Sequence, residues 1–167
     1  MSEKRIDDFI NELLIGDAQR NALEFVTYLR TNEMQFKKEK GYWEDKCYWG
    51  ISYKGKYVCS VLINNYEKTD PESWTVWSDS SGSKWYEDSL LDEHLKETAW
   101  DNVDICGDVG ECGYCGHSGG ISKKIFGKDF YNVCLTVFRF NNPNASTVEC
   151  IIKLLEIRKS DIINHTV

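Results

Sequence analysis

The sequence predicts a single α+β domain, in which helices pack on one antiparallel sheet. Apolar residues recur at helical spacing near both ends of the chain, whereas they alternate with polar residues through its middle. No internal repeat and no linker divides these regions, and 167 residues suffice for one hydrophobic core. We therefore expect one domain over residues 1–167, with a Cys/Gly-rich insertion over residues 101–132.

Two helices are predicted near the start of the chain. Residues 4–15 carry apolar side chains at helical spacing, and Gly16 ends this run. Asp17 is a suitable N-cap for a second helix over residues 18–31. The apolar positions of the two helices are Ile6, Phe9, Ile10, Leu13, Leu14, Ala22, Phe25, Val26 and Leu29. Two such faces predict a helical hairpin that packs on the sheet.

After residue 33 the apolar period changes from that of a helix to that of a strand. Lys54-Gly55-Lys56 separates two apolar runs and predicts the turn of a β-hairpin. The last strand is partly apolar on both faces, so we expect it near the centre of the sheet. The predicted strands cover residues 34–36, 47–52, 57–63, 74–78 and 133–140.

Two further helices complete the predicted fold. Residues 85–99 place three leucines and a histidine along one side, and Ser146 is the expected cap of a last apolar-faced helix. The chain from Asp161 onward is expected to fray. We predict no helix or strand in the Cys/Gly-rich insertion, because glycine weakens both.

Charge and composition exclude several functions. The formal net charge of -7 argues against sequence-independent nucleic-acid binding, which requires a basic surface. Lys37, Lys38 and Lys40 alternate with Glu39, which is typical of a solvated edge. No window approaches the roughly 18 apolar residues of a membrane span, and the first residues lack a secretory signal. We expect a cytoplasmic protein whose seven cysteines stay reduced, since an odd count fits a closed disulfide framework poorly.

Four cysteines and a histidine crowd one glycine-rich stretch. Cys112-Gly-Tyr-Cys115-Gly has the form of a zinc knuckle, because two intervening residues let both sulfurs bind one ion at about 2.3 Å. We predict a structural zinc bound by Cys106, Cys112, Cys115 and Cys134, with His117 replacing one of them or lying close by. If Cys134 faces elsewhere, the alternative is three protein ligands and a water.

Two further roles are open to these cysteines. Cys112 and Cys115 also match the CxxC of thiol–disulfide oxidoreductases, although no convincing helix follows them to stabilise a thiolate. Alternatively, they are reduced cysteines in a glycine-rich loop and bind nothing. Cys47, Cys59 and Cys150 lie at strand or helix positions and are predicted to be small core residues.

Aromatic residues crowd the predicted strands and their ends, which is typical of cores and of ligand clefts. Trp74 and Trp77 have opposite parity in one strand, so they are expected on opposite faces of the sheet. One of the two must then be covered by something other than the main core. Burial in the core is the simpler explanation of these rings. The alternative is an aromatic ligand-binding face formed by Trp49, Tyr53, Trp74, Trp77 and Trp85.

Two segments carry a likeness to a known family. The first is Trp49-Gly-Ile-Ser-Tyr53-Lys-Gly-Lys56, followed by an apolar strand. The second is the last strand, an Asn-Pro turn, and a helix that ends Ile-Ile-Lys-Leu-Leu-Glu-Ile-Arg158. In both, the chain resembles the YdhG-like domain family of small bacterial α+β proteins. It lacks the proline that this family has before the tyrosine, and the Cys/Gly-rich insertion is not a feature of the family.

The resemblance implies an α+β domain without an established enzyme activity, in a cysteine-bearing relative of the family. Some members are described as frataxin-like iron chaperones, so the resemblance also implies weak iron binding by the acidic surface. It supplies no catalytic residue.

The sequence contains no GxSxG, Walker, Rossmann or HExxH motif, and no carboxylate pair stands out as an acid–base couple. We therefore expect a non-enzymatic cytoplasmic domain with a structural zinc, which binds a small ligand or a protein partner through its aromatic face. The alternatives are a thiol-redox protein that uses Cys112 or Cys115, and an acidic iron-handling protein.

Overall fold

The computed structural model describes residues 3–39, 47–63, 73–78, 87, 89, 91–106 and 120–165. This part of the chain forms four helices, which are α1 (Ile6–Leu13), α2 (Gly16–Thr31), α3 (Glu93–Asp101) and α4 (Ala145–His165). It also forms seven strands, which are β1 (Gln35–Glu39), β2 (Cys47–Tyr53), β3 (Lys56–Ile63), β4 (Trp74–Ser78), β5 (Val103–Ile105), β6 (Ile121–Ile125) and β7 (Lys128–Asn141).

The seven strands make one antiparallel sheet in the order β1-β2-β3-β4-β7-β5, and β6 also pairs with β7. The 14-residue strand β7 has three partners, so the prediction that the last strand is central is confirmed. Helices α1, α2 and α4 pack on one face of this sheet. The predicted α+β class, with an N-terminal helical hairpin and a C-terminal helix on the sheet, is therefore confirmed.

The main core lies between these helices and the sheet. Phe25 of α2 and Trp74 of β4 are both 0% exposed, and their ring centroids are 5.9 Å apart. Phe138 and Phe140 of β7 stack at 6.1 Å on the same side. Each fully buried side chain of this size stabilises the fold by about 1.5–3 kcal/mol through loss of apolar surface from water.

The β2–β3 hairpin follows its turn chemistry. Lys54 and Gly55 have φ of 49° and 77°, which is the left-handed pair of a type I′ turn. That turn suits the right-handed twist of the two strands, and it brings Tyr53 opposite Lys56. The predicted hairpin at Lys54-Gly55-Lys56 is confirmed.

Three boundary predictions were wrong. Residues 85–99 do not form one helix, since α3 begins only at Glu93. Asp17 is not the cap of α2, which begins at Gly16. Asn144, rather than Ser146, caps α4, because its Oδ1 accepts a hydrogen bond from the Thr147 N–H at 2.9 Å.

The described parts of two regions that were predicted to be irregular contain regular structure. The insertion contains β5 and β6, because its flanks supply alternating, β-branched residues that pair with β7. The end of the chain does not fray at Asp161: α4 continues to His165, and Ile162 is only 4% exposed. Asp161 Oδ2 also lies 2.7 Å from Arg158 Nη1, in an ion pair within α4. Among the described residues, no helix is both long enough and apolar enough to cross a membrane.

Candidate functional site

The predicted metal ligands fall into two groups. Cys106 directly follows β5, and Cys134 lies within β7, the strand that pairs with β5. Cys112, Cys115 and His117 lie outside the described residues. The structure therefore fixes the positions of two of the five candidates.

Strand alternation predicts that Cys106 and Cys134 share one face of the sheet. Asp104 Oδ2 accepts a hydrogen bond from Thr136 Oγ1 at 3.1 Å, which places Asp104 and Thr136 on the same face. Cys134 lies two residues from Thr136 in β7, and Cys106 lies two residues from Asp104, directly after β5 and past the register shift between Val103 and Ile105. Side-chain alternation predicts that both cysteines lie on that face. The pairing of Ile105 with Val133 makes the two cysteines diagonal neighbours, a relation that usually separates them by about 7 Å.

Asn132 joins the two ends of the segment that separates β5 from β6. Its backbone oxygen accepts a hydrogen bond from the Cys106 N–H at 2.7 Å, and its Nδ2 donates to the Cys106 carbonyl at 2.9 Å. Its Oδ1 accepts a hydrogen bond from the Gly120 N–H at 2.7 Å. A positive φ of 60°, which asparagine tolerates better than most residues, permits this arrangement. Asn132 therefore forms hydrogen bonds with both residues that flank positions 107–119, Cys106 and Gly120.

Gly120 is required by this close approach. A Cβ at this position would lie 2.4 Å from the Asn132 carbonyl carbon and 2.4 Å from the Val133 carbonyl oxygen. Both contacts are with backbone, which cannot rotate away as a side chain can. Gly120 thus allows the chain that enters β6 to pass directly beside the Asn132 backbone in β7.

The two cysteines at this base differ from the two in the core. Cys106 and Cys134 are half-buried, whereas Cys59 and Cys150 are 0% exposed. Burial raises the pKa of the Cys59 thiol far above its ordinary value, and it raises the pKa of Cys150 to about 12. The prediction that Cys59 and Cys150 are core residues is confirmed; the side chain of Cys47 lies outside the described residues.

Within the described ranges, no group of three or more His, Cys, Asp or Glu side chains is arranged to hold a metal ion. Two sulfurs on one face supply two of the four ligands that tetrahedral zinc needs. A complete site would therefore need two more ligands, and the zinc remains a prediction.

The five predicted ligand-binding aromatics do not form one surface in the structure. Trp49, Tyr53 and Trp74 lie in the helix-side core, and each is 5% exposed or less. Trp77 belongs to the opposite face, as its parity predicted, and its ring lies 6.0 Å from that of Tyr48. Trp85 lies outside the described residues.

Around Trp77, the face of the sheet away from the helices carries polar groups that were not predicted from the sequence. The Arg139 guanidinium lies 5.0 Å from the Trp77 ring centroid, and its Nε is 3.5 Å from Asp104 Oδ2. Across the sheet, Ser60 Oγ contacts the hydroxyls of Tyr48 and Tyr57 at 3.1 and 2.7 Å. Strand alternation alone could have grouped these residues on one face, but only the strand order brings β5, β7, β4 and β3 together.

A cavity of about 240 Å³ opens beside Trp49 on the helix side of the sheet. Its wall includes Arg5, Arg30, Phe36 and Lys38, which come from α2, from β1 and from the residues before α1. Lys38 was expected at a solvated edge, and the sequence indicated no role for Arg5 or Arg30. Their proximity depends on packing, so periodicity could not show it.

We compared the chain with protein families, with curated proteins and with solved structures, and none of the three comparisons found a match.

Proposed function

We propose that this chain is a non-enzymatic binding domain whose Cys/Gly-rich segment is held by a structural zinc. The observation that supports this most is that Cys106 directly follows β5 and Cys134 lies in β7, the strand that pairs with β5. Paired strands place these two sulfurs in advance, so zinc binding would order fewer groups. A cytoplasmic location and a relationship to the YdhG-like family belong to the same proposal.

In this proposal, Cys106 and Cys134 supply two of the zinc ligands. Cys112 and Cys115 supply the other two, on the evidence of their CxxC spacing alone, and His117 is the substitute for one of the four. Four protein ligands leave no open position for water or substrate, and such a closed zinc site is structural. The domain would therefore bind a ligand or a partner rather than catalyse a reaction.

The backbone around the proposed site supports the same function. Asn132 already fixes the carbonyl and the N–H of Cys106. These bonds hold the backbone of Cys106 and so limit the positions that its side chain can reach. A segment rich in glycine has few side chains with which to hold itself in place, so a metal would contribute much of its order.

Metal analysis of purified variants tests the proposal. We expect about one zinc per chain in the native protein, and a loss of most of it in Cys106→Ser and in Cys134→Ser. Cys150→Ala is the matched control, because Cys150 is 0% exposed in the main core and should not affect metal content. Equal zinc content in all four proteins would contradict the proposal.

Two different outcomes would favour the alternatives. A metal-free protein in which one thiol of Cys112 or Cys115 titrates near neutral pH would indicate thiol-redox chemistry. Iron bound by a folded protein whose cysteines outside the core all react with a thiol reagent would indicate iron handling through carboxylates.

A further inference from the structure

The cavity beside Trp49 is basic, although the protein is acidic. Lys4, Arg5, Arg30 and Lys38 all line it, whereas the whole chain has a formal net charge of -7. The start of α1, the C-terminal half of α2 and the strands β1 and β2 meet here. Packing has therefore collected four cations from three separate parts of the chain around one small space.

Aromatic rings form the apolar part of this wall. Trp49 is 3% exposed and Phe36 is half-buried, and the Phe9 ring packs edge-on against Trp49 at 5.2 Å. The Lys38 ammonium lies 4.5 Å from the Phe9 centroid, and the Arg30 guanidinium lies 5.4 Å from the Phe36 centroid. Ring faces attract these cations and hold them in place, but they leave the positive charge uncancelled.

Two of the four cations are neutralised within the protein. Arg30 forms two hydrogen bonds with the carboxylate of Asp7, at 3.0 and 2.5 Å. Lys4 Nζ lies 2.8 Å from Glu12 Oε1. The Arg30 guanidinium holds the pKa of the Asp7 carboxyl below its ordinary value, so this pair is ionised at neutral pH. These two cations therefore need no external anion.

The other two cations lack a direct ion pair, although Arg5 lies close enough to Asp7 to help lower the pKa of that carboxyl. In residues 3–39 and the other described ranges, neither Arg5 nor Lys38 forms an ion pair. Glu3 is the one acidic residue in the lining, and it leaves an excess of positive charge there. An anion that entered the cavity would meet Arg5 and Lys38 beside an apolar wall, with the Glu3 carboxylate as the one opposing charge in the lining.

Edge protection does not account for the whole arrangement. Lys38 lies on the edge strand β1 directly opposite Trp49 and so points toward the helix side, and an inward charge on an edge strand discourages pairing with other chains. That role needs only a charge on the strand. It does not require Arg5, which comes from the segment before α1, to share the same cavity.

We propose that this cavity binds a small organic anion. A carboxylate or phosphate group would lie between Arg5 and Lys38, and an apolar body would lie against Phe36 and Trp49. The volume of about 240 Å³ is below the roughly 300–1,000 Å³ of pockets for drug-sized ligands, so the body is about one ring in size. This inference deepens the proposed binding function and rests on it for the assignment of a ligand, but it does not depend on the zinc.

The test is an NMR titration of the full chain that follows the indole N–H of Trp49, assigned by its loss in Trp49→Phe. The probes are benzoate and phenyl phosphate, with neutral benzamide as the matched control ligand. We expect both anions to shift the Trp49 signal with dissociation constants on the order of millimolar, and benzamide to bind at least about fivefold more weakly. The anion with the lower dissociation constant identifies the preferred head group.

Two neighbouring lysines provide matched variants. Lys38→Gln should weaken benzoate binding about fivefold, whereas Lys37→Gln should weaken it less than about twofold. Lys37 has the same charge, but it lies on the other face of β1, and its Nζ is 3.6 Å from Glu39 Oε1. Arg5→Gln is a second variant at an exposed position, and we expect it to match Lys38→Gln.

Three results would overturn the inference. They are an unmoved Trp49 signal with both anions, equal binding of benzamide and benzoate, and equal losses in the Lys37 and Lys38 variants. The same titration in Cys112→Ser separates this inference from the zinc proposal. Anion binding should be unchanged in this variant even though its zinc is lost. Anion binding by a native chain that holds no zinc would contradict the zinc proposal and leave the cavity supported.

Discussion

Replacement of Gly120 by alanine tests whether the base of the Cys/Gly-rich segment is built as described. The new Cβ would lie 2.4 Å from Asn132 C, 2.4 Å from Val133 O and 2.6 Å from Asn132 O, whereas ordinary contacts begin at 3.4 Å. The overlap of about 1 Å is with the backbone of β7, which pairs with β4, β5 and β6. Gly120 must therefore move away from β7.

That movement has a calculable cost. It breaks the hydrogen bond from the Gly120 N–H to Asn132 Oδ1, now 2.7 Å long, and the loss of such a bond costs about 1 kcal/mol. Overpacking adds about 1–3 kcal/mol. The free energy of unfolding should therefore fall by about 2–4 kcal/mol, which corresponds to a decrease in Tm of roughly 5–15 °C for a chain of this size.

Thermal unfolding followed by circular dichroism measures the change, and Gly50→Ala is the matched control. Gly50 is also a glycine of the sheet, but its new Cβ would meet only the flexible end of Glu39, at 3.4 Å. We expect Gly50→Ala to change Tm by less than about 3 °C. A Gly120→Ala protein that melts within about 1 °C of the native chain would refute the close approach of Gly120 to Asn132.

Two further predictions concern titrating groups. Asp7→Asn should lower the free energy of unfolding in urea by about 0.5–1 kcal/mol at pH 7, because the Asp7–Arg30 pair is partly exposed. The pKa of Asp7 is lowered in the fold, so its stabilisation is present above about pH 4 and is lost as pH falls through the folded pKa. The difference between the two proteins should therefore close as the pH falls below the ordinary carboxyl pKa of 3.8. Asp17→Asn, in an exposed pair, is the control, and a difference that does not change with pH would contradict this prediction. At pH 8, Cys59 and Cys150 should react with a thiol reagent only after the protein unfolds, because burial raises the pKa of both thiols. Rapid reaction of either thiol in the folded protein would contradict the burial of these two residues.

Local signals predicted most of the fold. The helices α1 and α2 and the strands β2 to β4 follow from apolar spacing, and the hairpin follows from Lys54-Gly55. Prediction failed where structure depends on distant partners. β5 has only three residues, and it forms because β7 provides a ladder for it. Similarly, α4 continues past Asp161 because Ile162 is buried in the main core.

The arrangement of the candidate sites also depends on contacts between distant parts of the chain. The spacing of Cys112 and Cys115 is a local signal, whereas the shared face of Cys106 and Cys134 depends on the register of β5 against β7. The positions of Arg5 and Lys38 at one cavity depend on how α1 packs beside β1, and no periodic pattern encodes that contact.

The central claim is that sulfur ligands bind one metal ion at the base of the Cys/Gly-rich segment. X-ray absorption at the zinc edge, on the purified full chain, tests it most directly. We predict about one zinc per chain with three or four sulfur neighbours at about 2.3 Å, and with nitrogen completing the shell if His117 is a ligand. Absence of zinc, or a shell of oxygen and nitrogen alone, would contradict the claim.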